Sequence, residues 1–355
     1  MSKKIVLTGG GTAGHVTPNI ALLPGLRERG FEIRYIGSYQ GMEKGLIEAE
    51  GIPYDGIATG KLRRYLSKEN LKDVKNVIHG LGEAKKLLSD IKPDIVFSKG
   101  GFVSVPVVLA AHRLHIPVII HESDMTPGLA NKICFNAASK ICCNFPETVE
   151  RLPKHKAVLS GSPIRSELLS GSREAGLSFT GLSGEKPVLL MIGGSSGARK
   201  LNEVLREALD RLLPDFDIIH LCGKGNLDES LKDKAGYVQY EYISAELKDL
   251  FACCDIVFSR AGANAICELL ALGKPALLCP LSRQASRGDQ ILNAQSFEKQ
   301  GFSMMLEEEA LTADSLVGNL QTLYQNREKY REAMKASTQK SGVSVILGLI
   351  DEIVK

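Results

Sequence analysis

Apolar residues come in short blocks separated by glycine. The first, Lys4-Ile5-Val6-Leu7-Thr8, stops at Gly9-Gly10-Gly11. Ile20, Leu22, Leu23 and Leu26 follow, spaced as one face of a helix. The pattern predicts strand, tight turn, helix. Through the first half, β-rich runs at 4–8, 33–36, 54–58, 94–98, 118–120, 140–143 and 157–160 alternate with amphipathic stretches, the longest over 70–90. That βαβα order predicts a parallel sheet with helices on both faces. Pro93 and Pro117 each stand just before a strand, where a missing N–H costs least. Residues 161–186 lose the pattern and are rich in Ser and Gly, which reads as an interdomain linker. The theme then returns. An apolar run at 187–192 meets Gly193-Gly194-Ser195-Ser196-Gly197-Ala198, followed by Leu201, Val204, Leu205, Leu209 and Leu212 at helical spacing. More strands are expected at 217–221, 237–240, 255–259 and 275–279. After about residue 312 the chain reads as helical, and 343–354 is apolar on one face. The expectation is two domains, 1–163 and 164–340, with a last helix, 341–355, packing back onto the first.

Composition narrows the classes. A chain of 355 residues, 44% apolar and 24% charged, suits two soluble domains with sizeable cores. A net charge of +3 is too small to imply nucleic-acid binding. The eight cysteines lie mostly in apolar runs, with no C-x-x-C and no zinc spacing, and read as buried, reduced thiols of a cytosolic protein. The N-terminus runs straight into the first strand rather than forming a signal peptide. The longest apolar runs, such as 103–111, fall far short of the roughly 20 residues a spanning helix needs. Membrane contact would therefore be peripheral.

The glycine turns carry the candidate chemistry. A glycine turn between strand and helix lets N–H groups approach a ligand, and the helix N-terminus favours an anion, so phosphate or diphosphate is the expected ligand. Gly9, Gly11 and Gly14 match the dinucleotide fingerprint, but the second strand ends Tyr35-Ile36-Gly37-Ser38 without the acid a ribose needs. Glu32 comes too early and Glu43 lies in the next helix. No P-loop motif is present. His15 sits at a helix start, where the dipole disfavours imidazolium, so it can serve as a base or simply hydrogen-bond its surroundings. His121-Glu122-Ser123-Asp124 follows a strand at the sheet edge where chemistry is presented. A carboxylate there can act as base or orient His15, and the same stretch reads as a helix cap. Ala261-Gly262-Ala263-Asn264-Ala265-Ile266-Cys267-Glu268 opens another helix after a strand, with Glu268 placed to accept from ribose hydroxyls. Asp215-Phe216-Asp217 has a D-x-D form but lies at the opposite end of its strand and reads as loop. Lys61, Arg63 and Arg64, mixed with Leu62, Tyr65 and Leu66, suit either an anionic membrane surface or a solvated loop.

Five stretches taken together resemble the MurG glycosyltransferases. They are Gly9 to His15, Ser98-Lys99-Gly100-Gly101-Phe102, His121-Glu122, Gly193 to Arg199, and Asp289-Gln290-x-x-Asn293-Ala294. The resemblance covers essentially the whole chain. It implies a GT-B fold, two Rossmann-like doubly wound α/β domains facing across a cleft. It implies inverting, metal-independent transfer of N-acetylglucosamine from UDP-GlcNAc to lipid I, undecaprenyl-diphospho-muramoyl-pentapeptide, giving lipid II for peptidoglycan. No cofactor is implied. The implied location is peripheral, on the cytoplasmic side of the cell membrane, with other cell-wall synthesis proteins as partners.

By the same resemblance, His15 and Glu122 are the candidate catalytic groups, His15 being preferred as base. Thr12, Ala13, Gly14, Asp124, Arg165, Ser195, Ile243, Ala263, Asn264, Ala265, Ile266, Cys267, Glu268 and Gln290 fall to the UDP-GlcNAc site. Gly10, Gly11, Gly100 and Gly101, with Lys61, Arg63 and Arg64, fall to the acceptor and membrane side. Where the family usually reads His-Glu-Gln-Asn, this chain has Ser123 and Asp124, and the residue before Gln290 is Asp289. The alternatives on the same scaffold are a UDP-GlcNAc 2-epimerase, a diacylglycerol glycosyltransferase, or an inactive paralogue that only binds UDP-GlcNAc.

Overall fold

A computed structural model describes residues 3–60, 68–194, 197–284, 288–339 and 342–355. The chain divides into two compact units, Met1–Arg165 with Ser341–Lys355, and Ser166–Lys340.

The first unit runs β1 (Lys4–Thr8), α1 (Thr17–Glu28), β2 (Glu32–Ser38), α2 (Met42–Ala49), β3 (Tyr54–Ile57), α3 (Lys68–Ile91), β4 (Ile95–Ser98), α4 (Ser104–Arg113), β5 (Val118–Glu122), α5 (Leu129–Cys134), β6 (Lys140–Cys143), α6 (Pro146–Glu150) and β7 (Ala157–Leu159). Its seven strands are all parallel, in the order β3-β2-β1-β4-β5-β6-β7. Both faces are covered, so the strands are apolar throughout and the side-chain alternation only sorts residues between two cores. In β1, Ile5 and Leu7 join Leu22, Leu23 and Leu26 of α1, while Val6 joins Ala84 and Leu88 of α3 and the valines of α4. Each such fully buried aliphatic side chain contributes about 1.5–3 kcal/mol.

The second unit holds α7 (Arg173–Thr180), β8 (Val188–Ile192), α8 (Arg199–Glu207), α9 (Leu209–Leu212), β9 (Asp217–Leu221), β10 (Tyr237–Tyr240), α10 (Leu247–Cys253), β11 (Ile256–Ser259), α11 (Ala263–Leu272), β12 (Ala276–Leu278), α12 (Asp289–Lys299), β13 (Ser303–Met305), α13 (Ala313–Gln325) and α14 (Arg327–Ala336). Its strands are again all parallel, ordered β10-β9-β8-β11-β12-β13. The last helix, α15 (Gly342–Ile353), belongs to the first unit. Gly342 N–H donates to Ser162 O at 3.0 Å, and Arg29, just after α1, pairs with Asp351 at 2.8 Å. Ile346, Leu347 and Ile350 complete the core over α1.

Two features differ from the sequence reading. The stretch 161–186 is largely structured. A 3-10 turn over Ser166–Ser170 leads to α7, whose N-cap Ser172 accepts from Ala175 N–H. This helix is fixed to α10: Ser172 N–H donates to Asp249 at 2.8 Å and Arg173 to Cys253 O at 2.5 Å. A Cβ on Gly176 would stand 2.3 Å from Asp249 O, so the close packing itself demands the glycine that suggests a loop. Strand β13 gives no signal in the sequence because it is three residues long at the edge of the sheet. All eight cysteines are buried and none is in a disulfide, and burial raises the resolved thiol pKa values, that of Cys142 to about 12.

The strand orders fix where ligands belong. In each sheet the chain winds outward from the first strand, then returns to its other flank. The reversal lies between β1 and β4 in one unit and between β8 and β11 in the other. Helices diverge there, opening a crevice at the carboxyl ends of those strands.

Candidate active site

In the first unit the chain leaves β1 through Gly9, Gly10 and Gly11, and a 3-10 turn, Ala13–His15, leads into α1. Gly10 has no room for a side chain, since a Cβ would stand 2.6 Å from the Glu43 carboxyl carbon. Glu43, in the first turn of α2, is fully buried. Its carboxylate accepts from Gly11 N–H at 3.3 Å, Ser38 N–H at 3.1 Å and the Ser38 hydroxyl at 2.5 Å. On the α1 side, Asn19 donates to Thr8 O at 3.2 Å and Tyr35 OH at 3.1 Å, and Tyr35 OH donates to Gly9 O at 2.7 Å. The turn is thus held by protein groups on two sides. Thr12 and Ala13 are exposed on it, and Gly14 and His15 are half-buried.

His15 Nδ1 lies 3.1 Å from Thr12 Oγ1. Its pKa falls to about 4, chiefly by burial and next by the Lys99 ammonium, with Asp124, Gly10 and Glu43 pulling the other way. The imidazole is therefore neutral at pH 7. The turn after β4 lies against the first. Gly101 has φ +83°, and a Cβ there would stand 2.5 Å from Gly10 O and 3.3 Å from His15 Nδ1. Gly100 lies in the same way against the Asn131 carboxamide. Lys99 is 1% exposed, and its ammonium donates to the Ser123 hydroxyl.

Glu122 ends β5 and is also buried. One oxygen accepts from Asp124 N–H at 3.1 Å; the other accepts from Gly128 N–H at 3.0 Å and Asn131 Nδ2 at 2.9 Å. Burial raises its pKa against those bonds. These three bonds tie the carboxylate to the loop and helix that follow its own strand. His121 Nε2 is 3.0 Å from Gly161 O and equally internal.

In the second unit Gly193 and Gly194 follow β8, and Gly197 N–H donates to Gly194 O at 2.9 Å ahead of α8. The Ser259 hydroxyl, at the end of β11, donates to Ile192 O at 3.0 Å and joins the two central strand ends. α11 starts beyond Gly262, which brings no side chain to cap its first turn. That is the arrangement an anion occupies. Ile266 and Cys267 do not share it. Both side chains lie in the core, and Ile266 N–H already donates to Gly262 O at 3.1 Å. Glu268 is half-buried one turn further along. Gln290, on α12, accepts from Leu281 N–H at 3.1 Å beyond β12, and Asn293 donates to Ala261 O at 3.4 Å. Ile243 is half-buried between β10 and α10. Beneath the β8 turn, Asn202 Nδ2 donates to Cys222 O, Asn202 Oδ1 meets His220 Nε2 at 3.0 Å, and His220 Nδ1 meets Tyr237 OH at 2.7 Å. Burial, and then Arg206, lower His220 to about 3, so it is a neutral structural group.

The structure therefore brings Gly10, Gly11, Thr12, His15, Gly100, Gly101 and Asp124 together around one sheet edge, and Ala263, Asn264, Ala265 and Gln290 around the other. Arg165 closes the first unit, with a buried Nε that has no hydrogen-bond partner among the described residues. Ser195, Lys61, Arg63 and Arg64 lie outside the described residues. Sequence reasoning passed over Glu43 and Lys99. Glu43 shows only as an acid two residues after Gly41 at a helix start. Lys99 shows as a lone cation between an apolar strand and two glycines. Among the described residues no helix is long and apolar enough to cross a membrane.

Two parallel-sheet units with glycine turns at both switch points are a nucleotide-binding architecture, and sequence comparison gives the family. Residues 5–143 match the glycosyltransferase family 28 N-terminal domain and 188–347 the C-terminal domain. The chain belongs to glycosyltransferase family 28. A protein of Lachnospira eligens described as "UDP-N-acetylglucosamine--N-acetylmuramyl-(pentapeptide) pyrophosphoryl-undecaprenol N-acetylglucosamine transferase" is 62% identical over 350 residues, 99% of each chain. A Bacillus cereus protein given the same description with the suffix 2 is 55% identical, also over 99% of each. Among solved structures, Acinetobacter baumannii MurG superimposes with a TM-score of 0.77 at 26% identity, covering 99% of both chains.

Proposed function

We propose that this chain transfers N-acetylglucosamine from UDP-GlcNAc to lipid I, with inversion, making lipid II for peptidoglycan at the cytoplasmic side of the membrane. The observation that carries the chemistry is a neutral His15 beside a preformed glycine turn at the switch point of the first sheet. The full-length relatives carry the choice of substrates.

In this reading the first unit receives the acceptor, its diphosphate at Gly10, Gly11, Gly100 and Gly101. The second unit holds the donor. The α11 N-terminus and the turn at Gly193 and Gly194, with Ser195 and Arg165, take the diphosphate. Glu268 takes the ribose, Ile243 packs by the uracil, and Gln290 meets the sugar. The acceptor hydroxyl oxygen attacks the anomeric carbon as the bond to UDP breaks. The bonding pair leaves with UDP, and the hydroxyl proton passes to His15. With Nδ1–H donating to Thr12, the Nε2 lone pair receives it. Fixed N–H groups at helix starts stabilise the charge that grows on departing UDP. Lys61, Arg63 and Arg64 adjoin an anionic bilayer, each adding about 1 kcal/mol.

The test is UDP release from UDP-GlcNAc with a short-chain lipid I analogue, with and without chelator. Acceptor-dependent release that survives chelation is expected. No release, or conversion of UDP-GlcNAc alone to its manno epimer, would overturn the proposal. Sedimentation with anionic but not neutral vesicles is the expected membrane behaviour, and loss of anionic preference would refute it.

A further inference from the structure

We propose that Tyr237, His220 and Asn202 form a one-way hydrogen-bond relay that positions the glycine turn after β8, and so sets how tightly the donor's diphosphate is held there. That the turn receives a diphosphate rests on the transferase reading. The relay itself rests on contacts within the second unit.

The direction of the relay follows from its last acceptor. Cys222 O, just beyond β9, is a carbonyl and can only accept, so the Asn202 group 2.8 Å from it is the amide nitrogen. Asn202 Oδ1 then faces His220 Nε2 at 3.0 Å, and Nε2 carries the hydrogen. The ring is fully buried and its pKa falls to about 3, by burial and next by the Arg206 guanidinium, so Nδ1 keeps a lone pair. The Tyr237 hydroxyl, 2.7 Å away, donates to it. Asn202 and Tyr237 are each 2% exposed. The other neutral tautomer would set the Nε2 lone pair against Asn202 Oδ1, two acceptors facing each other in the interior, which costs the desolvation of both.

The relay ends against the turn. A Cβ on Gly197 would stand 2.3 Å from Cys222 O and 3.1 Å from Asn226 Nδ2, so the loop after β9 is a wall on which the turn rests. Gly197 N–H in turn donates to Gly194 O at 2.9 Å. Arg206 lies one helical turn after Asn202 on α8 and donates to Asn226 O and to Gln239 Oε1. Gln239 donates to Asp228 O at 2.6 Å. α8 therefore holds the loop at both Cys222 and Asn226. Apolar side chains could fill the space that Asn202, His220 and Tyr237 occupy. A buried polar relay with one working direction instead specifies a single geometry, and fixes the wall of the turn before a ligand arrives. The three are positioning residues, acting on the donor through Cys222 O and Gly197.

The experiment reads the full chain by NMR, with histidine-ring and backbone-amide labelling, beside calorimetric binding of UDP-GlcNAc. At pH 7 His220 should be protonated at Nε2 and bare at Nδ1; a charged ring or the opposite tautomer would overturn the proposal. Tyr237→Phe removes one hydroxyl on β10, which β9 separates from β8. It should move the Gly197 amide resonance and raise the Kd for UDP-GlcNAc about fivefold, the scale of one net hydrogen bond, while KM for the lipid I analogue stays put. Phe251→Leu, a core change on α10, should lower stability without either effect. An unmoved Gly197 amide or an unchanged Kd in folded Tyr237→Phe, or equal changes in Phe251→Leu, would refute the relay. Should Tyr237→Phe fail to fold, Asn202→Asp decides by the same two readings, since it turns an oxygen towards Cys222 O. A parent that binds no UDP-GlcNAc sinks the transferase reading, while the His220 tautomer and the Gly197 amide still judge the relay.

Discussion

Replacing Glu43 tests whether the first glycine turn is built by the protein or assembled by its ligand. The carboxylate is fully buried and accepts three hydrogen bonds, from Gly11 N–H, Ser38 N–H and the Ser38 hydroxyl. Hydrogen bonds to a charged group contribute about 1.5–3 kcal/mol each, and a buried donor left without an acceptor costs about 1–3 kcal/mol. The Ser38 hydroxyl can rotate to another acceptor, whereas its N–H cannot. Glu43→Ala should therefore cost about 4 kcal/mol. Glu43→Gln keeps the volume and one acceptor oxygen but turns an NH2 group towards the donors, and should cost about half as much. For a unit of this size 1 kcal/mol moves the midpoint by about 2–4 °C, so calorimetry of the full chain should show the first unit melting about 10 °C lower in the alanine variant and about 5 °C lower in the glutamine one. The same loosening should raise KM for the lipid I analogue several-fold while the Kd for UDP-GlcNAc stays put. A glutamine variant that melts with the parent and keeps its acceptor KM would refute the claim that Glu43 holds the turn.

Three other outcomes follow from the same contacts. His15→Gln should lower kcat by about 100-fold, the scale of one acid–base group, and a near-normal kcat would remove His15 from the role. Because its pKa is about 4 in the fold against 6.5 unfolded, the unfolded chain alone takes up this proton between those values. His15 should thus reduce stability by about 3 kcal/mol as pH falls through that window, a slope absent in His15→Gln under urea titration. Gly101→Ala brings a Cβ to 2.5 Å from Gly10 O at φ +83°, and should depress turnover at least about tenfold; unchanged kinetics would show that the two turns do not need their close approach. Glu122→Gln leaves one loop N–H facing an NH2 group and should cost about 2 kcal/mol without moving the acid limb of kcat/KM; a moved limb would return Glu122 to the list of bases.

The sheets were legible because buried parallel strands are nearly continuous apolar runs, and β1, β6, β9 and β10 show in the sequence with the bounds they have in the fold. The glycine turns were legible for the opposite reason: an abrupt stop in an apolar run has few other causes. What escaped was everything set by contact between distant segments. Helix α7 hides because Gly176 is demanded by a carbonyl on α10, that of Asp249, far away in sequence. Ile266 and Cys267 stand beside Asn264 and Ala265 in one motif, yet helical rotation turns them into the core. Glu122 draws the eye as a carboxylate at a strand end, and only the fold shows its three partners in the segment that follows. Glu43 and Lys99 are ordinary surface residue types, and nothing local says that each will be enclosed.

The return of α15 to the first unit has a consequence for synthesis. The whole of the second unit, Ser166–Lys340, is made between the first unit's sheet and the helix that completes its α1 face. At roughly 5–20 residues per second, the ribosome takes about 10–35 s to make that second unit, and Leu22, Leu23 and Leu26 stay without their cover throughout it. For that interval the nascent first unit is an open-faced domain, and the second unit has time to reach its own fold before the last helix arrives. Chaperone occupancy on nascent chains should accordingly persist on the α1 face until α15 emerges, and end when Ile346, Leu347 and Ile350 settle against it.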